Sequence, residues 1–122
     1  MILALLLLFA DWPQLLGPQR NGVSVERISL QSPRLLWKKE IGAGFSGPVA
    51  AGGKLILFHR QGNSEIVEAL NPATGAPIWK FEYATSYRDD VGFDEGPRAT
   101  PGRSSGRSCG VSVRRSASSG FR

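Results

Sequence analysis

Cysteine, histidine and methionine are scarce, with one residue of each among the 122 of the chain. The single cysteine, Cys109, excludes an internal disulfide and a cysteine-based zinc cluster. Long apolar runs are also missing, because Met1 to Ala10 is far shorter than the roughly 20 residues that span a bilayer. We therefore expect no transmembrane span, and the length allows one modest domain.

The positive net charge of +5 is confined to the C-terminal end of the chain. Residues 1–100 contain ten basic and ten acidic side chains, whereas residues 101–122 contain five arginines and no acidic residue. A charge restricted to one end is typical of a tail and not of a basic domain.

Serine, arginine and glycine dominate residues 102–122, a mixture typical of a GC-rich coding strand read in a shifted frame. We expect a disordered tail that arose by a frameshift near Pro101. A genuine disordered tail and a nucleic-acid-binding arm remain alternatives. Basic residues attract phosphate without specificity, and Phe121 alone offers a ring for base stacking, so we expect no specific nucleic-acid partner.

The apolar run Met1 to Ala10 matches the central region of a secretory signal in length, although it lacks the positively charged start. We expect a truncated or degenerate signal and an exported protein, periplasmic or associated with the cell envelope. A buried N-terminal strand or helix is the alternative. Residues 11–34 would then form a lead-in to the folded part.

Short apolar runs separated by glycine-rich turns predict an all-β fold between residues 35 and 101. A first strand is expected from Leu35 to near Ile41. Four further strands are expected, at Gly47 to Ala51, Lys54 to Arg60, Glu65 to Leu70 and Ile78 to Tyr83. Gly52-Gly53 is expected to form the hairpin turn between the first two of these four strands.

Four successive strands joined by tight turns describe one blade of a β-propeller. Trp37 and Trp79 lie 42 residues apart, within the interval of about 40–45 residues that one blade occupies. The segment from Ala69 to Trp79 resembles the repeat of quinoprotein-type propellers, which carries Ala-x-Asp-x-x-Thr-Gly-x-x-x-Trp. Ala69, Thr74, Gly75 and Trp79 match this pattern, and Asn71 stands in place of the aspartate.

Three further segments are similar to exported proteins of the same pyrroloquinoline-quinone-binding-like (PQQ-binding-like) group: Asp11 to Gly22, Gly42 to Arg60 and Asp89 to Pro101. The resemblance implies a propeller fragment with about one complete blade and partial neighbours. In dehydrogenases of the group, PQQ and calcium lie on the propeller axis and are held by many blades. The resemblance therefore implies no cofactor for this chain and a structural or binding role. A fragment of a PQQ-dependent alcohol dehydrogenase-like oxidoreductase is the alternative.

One blade exposes apolar faces and open edges, so we expect the isolated chain not to be a stable monomer. Its expected partners are further propeller blades or another protein. A cooperative unfolding transition of the isolated chain in dilute solution would contradict the expectation that it is not a stable monomer.

The most site-like segment is the charged loop between Tyr87 and Arg98. Its carboxylates and arginine suit a hard cation or a polar ligand, although the spacing is not that of an EF-hand. The candidate ligand or partner residues are Asp89, Asp90, Asp94, Glu95 and Arg98. Solvated loop charge, with Arg98 paired to a neighbouring carboxylate, is the alternative.

No other residue type forms a catalytic pattern. His59 has no second metal ligand or catalytic partner in its segment and is expected to be a packed or rim residue. Ser46 and Ser64 lack a nearby base, and Cys109 falls in the tail. The tryptophans Trp12, Trp37 and Trp79 are expected in the core. The sequence therefore predicts no catalytic residues and no metal site.

Overall fold

The computed structural model describes residues 11–27, 31–92 and 94–102. The signal-like run of residues 1–10, Cys109 and nearly all of the expected tail lie outside this range.

The described part of the chain contains one four-stranded antiparallel sheet that is not closed into a barrel. Its strands follow one another in sequence order, so each pairs with the next along the chain. They are β1 (Val49–Ala51), β2 (Lys54–Gln61), β3 (Ser64–Leu70) and β4 (Pro77–Ala84). The expected all-β fold and its four central strands are confirmed.

The two short hairpin turns explain this simple topology. Gly52 and Gly53 both have positive φ, 57° and 70°, which suits the two-residue turn between β1 and β2. The turn between β2 and β3 contains Gly62, also with positive φ. The turns on both sides of residues 65–70 favour the strand that is observed there.

Cross-strand pairing divides the side chains between two faces of the sheet, because paired residues lie on the same face. We call the first the apolar face; its apolar residues are Val49, Ala51, Ile56, Phe58, Val67, Ala69, Trp79 and Phe81, and it also carries Lys54, Arg60, Glu65 and Tyr83 at its margins. The first six of the apolar residues form the buried core cluster. The second face carries Leu57, His59, Ile66, Glu68, Lys80 and Glu82.

The strand expected from Leu35 to Ile41 is wrong. Residues 33–42 form no strand, because no neighbouring strand offers them a ladder of hydrogen bonds. Beyond them, Ala43 exchanges two backbone hydrogen bonds with Arg60, as an isolated bridge at the edge of β2. Trp37 therefore does not lie in a strand, unlike Trp79 in β4.

The lead-in segment adds a second isolated bridge at the other side of β1. Trp12 N–H donates to Ala50 O at 2.7 Å, and Ala50 N–H donates to Trp12 O at 3.0 Å. Part of the outer edge of β1 is thus paired, whereas β4 has only β3 beside it within the described ranges. In the part of the chain that the structure describes, the outer side of β4 is therefore an open edge of the sheet.

Candidate functional site

The charged loop is attached to the sheet by one buried arginine. Arg60, at the end of β2, donates from Nη1 to Tyr87 O at 2.9 Å and to Glu95 O at 3.0 Å, and from Nε to Gly62 O at 2.7 Å. Its guanidinium is also 3.5 Å from a carboxylate oxygen of Glu95. A fork of donors in a fixed plane suits this binding of several backbone carbonyls. Arg60 lies on the same face of the sheet as Phe58, so the loop is anchored to β2 on the apolar face.

Most of the candidate carboxylates of this loop contact groups of the protein itself. Asp94 accepts the backbone N–H of Gly44 at 3.0 Å and that of Gly96 at 2.7 Å. Asp89 pairs with Arg98 at 3.2 Å. Contacts of this kind hold a loop in one conformation and occupy the oxygen atoms that a cation would need.

Glu95 and Asp90 complete the candidate set. Glu95 lies 3.3 Å from Arg88 in addition to its contact with Arg60, whereas Asp90 is exposed. The structure brings the five candidate residues into one loop, and it places four of them in contacts within the fold. Among the residues that the structure describes, no group of three or more metal-ligating side chains is placed to hold a metal ion.

The second face of the sheet holds a buried polar network that sequence reasoning missed. His59 Nδ1 accepts the backbone N–H of Gly42 at 3.1 Å, so the other ring nitrogen carries the proton of the neutral imidazole. That nitrogen, Nε2, donates to Glu68 Oε1 at 3.1 Å, and Glu68 Oε2 lies 3.2 Å from Lys39 Nζ. The only signal in the sequence was a glutamate within the apolar strand β3.

Both ring nitrogens of His59 are used in this network, so the ring has no free nitrogen to act as a base for Ser46 or Ser64. The histidine and Glu68 are both buried, which agrees with the expected packed histidine. The network links the segment around Gly42 to β2 and β3. The buried polar side chains of this network thus have hydrogen-bond or ion-pair partners within the protein, as buried polar groups normally do.

The turn between β3 and β4 carries the residues of the repeat motif. Asn71 accepts the backbone N–H groups of Ala73 and Thr74 through Oδ1, at 2.9 and 3.3 Å. The Thr74 hydroxyl accepts from Ala76 N–H at 3.2 Å. Asparagine thus supplies the side-chain oxygen that organises the turn, as an aspartate does.

Trp37 lies against this turn from outside the sheet. Its indole N–H donates to Pro72 O at 2.8 Å. Gly75 has a φ of 71°, and a Cβ at this residue would lie 2.7 Å from Cδ2 of Trp37. Glycine is therefore required by the backbone conformation and by the close approach of the ring.

Trp79, the last residue of the segment that resembles the repeat, lies on β4 beside Ala69 of β3. Ala69 is completely buried, whereas Trp79 is 37% exposed and Phe81 is 60% exposed. The apolar face therefore continues from the buried core onto β4 and reaches solvent there.

On the second face, the hydrogen bond and the charge of Glu82 raise the pKa of Lys80 above its ordinary value of 10.5.

An open groove of about 340 Å³ lies between the lead-in segment and β1. Its walls are mainly apolar and include Trp12, Leu15, Leu16, Pro48, Ala50 and Leu55. The three tryptophans expected in the core are not part of the core cluster. Trp12 packs at the edge of the sheet, Trp37 on the turn between β3 and β4, and Trp79 at the exposed margin of the apolar face. None of the described residues that line the groove has an ionisable side chain.

In comparisons of this chain with protein-family models, with curated proteins and with solved structures, no match was found. Within the described ranges, no helix has the length and apolar character needed to cross a membrane.

Proposed function

We propose that this chain is a structural module, a blade of a β-propeller with quinoprotein-type repeats, which supplies packing surfaces and loops for binding. The contact between Trp37 and Gly75 carries the proposal. Trp37 belongs to the segment before the sheet, and it packs on a turn that closes the sheet's last hairpin. A tryptophan of one repeat thus docks on the turn of the next.

Trp79 lies 42 residues after Trp37, which is the length of one blade. By the same relationship, Trp79 docks on the equivalent turn of a following blade. Its partial exposure supports this, because a large aromatic ring at the margin of an apolar face is typical of a surface that packs against a partner.

Several polar side chains bind groups of the protein itself, and this also favours a structural role. Arg60, Asp94 and Glu95 fix the charged loop, and His59 fixes the segment around Gly42. These groups stabilise positions of the backbone. A loop held in one conformation at the end of a sheet is suited to contact a ligand or a partner protein.

Supplying the following blade tests the proposal. We would insert a second copy of residues 49–101 after Pro101. This copy begins at β1 and has no residue 37 of its own, so its turn is available to the first copy's Trp79. The expected result is a shift of Trp79 fluorescence to shorter wavelength and a gain of about 1–3 kcal/mol in the free energy of unfolding. Replacing Trp12, Trp37 and the second copy's Trp79 by Phe isolates the signal of the first copy's Trp79.

The matched control replaces Gly75 by Val in the inserted copy alone, where a side chain meets the docking ring. This control should abolish both the spectral shift and the gain. The docking contact lies within one chain, so the shift should not depend on protein concentration. An exposed Trp79 in the extended protein would contradict the proposal.

A further inference from the structure

The outer edge of β4 is a second surface, separate from the packing contacts of the proposed blade. Within the ranges that the structure describes, β3 is the only strand that pairs with β4. All eight residues of β4 are exposed except Tyr83, which is half-buried. A long exposed edge of this kind is a template for pairing with another strand.

We propose that β4 pairs with β4 of a second copy of this chain, in antiparallel orientation, with the two-fold axis at Phe81. The two four-stranded sheets then form one continuous sheet. Such a contact is isologous, because the same strand is used by both copies.

The charges of β4 select this arrangement. Lys80 and Glu82 flank Phe81 at equal distances along the strand, and both are exposed. Antiparallel pairing centred at Phe81 places each Lys80 opposite Glu82 of the second copy. Opposite charges in directly facing positions stabilise a pair of strands, and like charges destabilise it.

Other arrangements lose this complementarity. In a parallel pairing in register, Lys80 faces Lys80. An antiparallel pairing displaced by two residues brings either two copies of Lys80 or two copies of Glu82 face to face. A displacement by one residue places the apolar face of one copy beside the polar face of the other. The arrangement centred at Phe81 is therefore the one that matches charge and polarity together.

The aromatic side chains support the same register. Phe81 faces Phe81 of the second copy, and Trp79 faces Tyr83, all on the same face of the combined sheet. Cross-strand aromatic pairs stabilise antiparallel sheets. Phe81, 60% exposed in one copy, loses exposed surface in this contact.

The existing ion pair is compatible with the contact. Lys80 Nζ lies 2.5 Å from Glu82 Oε2 within one copy, on the second face of the sheet. Pairing brings together two lysines and two glutamates, whose charges sum to zero. The dimer thus forms a four-residue charge network without net repulsion.

Charge reversal tests the pairing on the full chain. Lys80→Glu gives β4 two negative charges, and Glu82→Lys gives it two positive charges. Sedimentation velocity should show that each variant alone associates at least about tenfold more weakly than the unchanged protein. An equimolar mixture of the two should regain association, because opposite charges then face each other. Equal association of all four samples, or no recovery in the mixture, would overturn the proposal.

A disulfide experiment tests the position of the two-fold axis. With Cys109 replaced by Ser, Phe81→Cys places two thiols on facing residues, whose Cα atoms are about 4.5–5.5 Å apart in an antiparallel pair. This separation allows a disulfide. The control Ala84→Cys places its two thiols about 20 Å apart along the strands. Mild oxidation should join the first variant and not the second, as seen on a non-reducing gel.

Equal cross-linking of both variants, or of neither, would rule out this register. The result does not depend on the docking of Trp79, which is measured within one chain. Failure of the edge contact and failure of the proposed blade are therefore distinguishable.

Discussion

The aromatic ring of Trp37 lies against the backbone of Gly75, and its indole N–H donates a 2.8 Å hydrogen bond to the carbonyl oxygen of Pro72. This contact fixes a segment without strand structure onto the turn between β3 and β4. It joins residues 38 positions apart in the sequence.

Replacing Gly75 by Ala should destabilise the protein more than the same change at Gly62. Both glycines have positive φ, so both substitutions carry the cost of a left-handed residue, about 1 kcal/mol. At Gly75 the new methyl group also meets the Trp37 ring, whereas no atom lies within 4 Å of a Cβ at Gly62. We expect a further loss of about 1–3 kcal/mol at Gly75. It is measured by urea unfolding at one protein concentration that is high enough to keep the β4-paired dimer associated, as for the substitutions below. Equal losses would contradict the close contact.

The change Trp37→Phe should remove the hydrogen bond to Pro72 and part of the packing on Gly75. We expect a loss of about 1–3 kcal/mol in the free energy of unfolding. Trp79→Phe is the matched control, because Trp79 is partly exposed in this chain and its change should have a smaller effect. If the two substitutions had the same effect, Trp37 would not be the better-packed tryptophan.

Arg60→Lys should release the charged loop from the sheet while the positive charge is retained. A lysine ammonium cannot reproduce the planar fork that binds the carbonyls of Gly62, Tyr87 and Glu95. We expect a loss of about 2–4 kcal/mol and faster hydrogen exchange at the Gly96 amide. Arg88→Lys is the control, because Arg88 is exposed and its loss should leave that amide protected. Unchanged protection in Arg60→Lys would refute the anchoring role.

His59→Ala should weaken the buried network on the second face. It leaves the Gly42 N–H without its acceptor and removes the hydrogen bond that Glu68 receives. The expected loss is about 2–4 kcal/mol, because buried groups lose their partners and a cavity is formed. His59→Gln, which retains a donor and an acceptor, should recover part of the stability. Thermal unfolding followed by circular dichroism compares the two, and equal melting temperatures would contradict a polar role for the ring.

The strands of the sheet were predictable because their signals are local. Gly52-Gly53 requires a tight turn, and the apolar residues of β2 and β3 lie in short segments between turns. The segment from Leu35 to Ile41 has the same local character, yet it forms no strand. Strand structure requires a neighbour with which to exchange hydrogen bonds, and the sequence pattern does not state whether that neighbour is present.

Local sequence specifies where the four strands lie along the chain, the turn built by Asn71 and Thr74, and the alternation of aromatic and charged residues along β4. Each depends on residues a few positions apart. Three contacts depend on long-range packing: Arg60 holds the charged loop, Glu68 bridges His59 and Lys39, and Trp37 covers Gly75. These contacts join residues distant in the chain, and their partners are set by how the segments fold over the sheet, which local propensity does not encode.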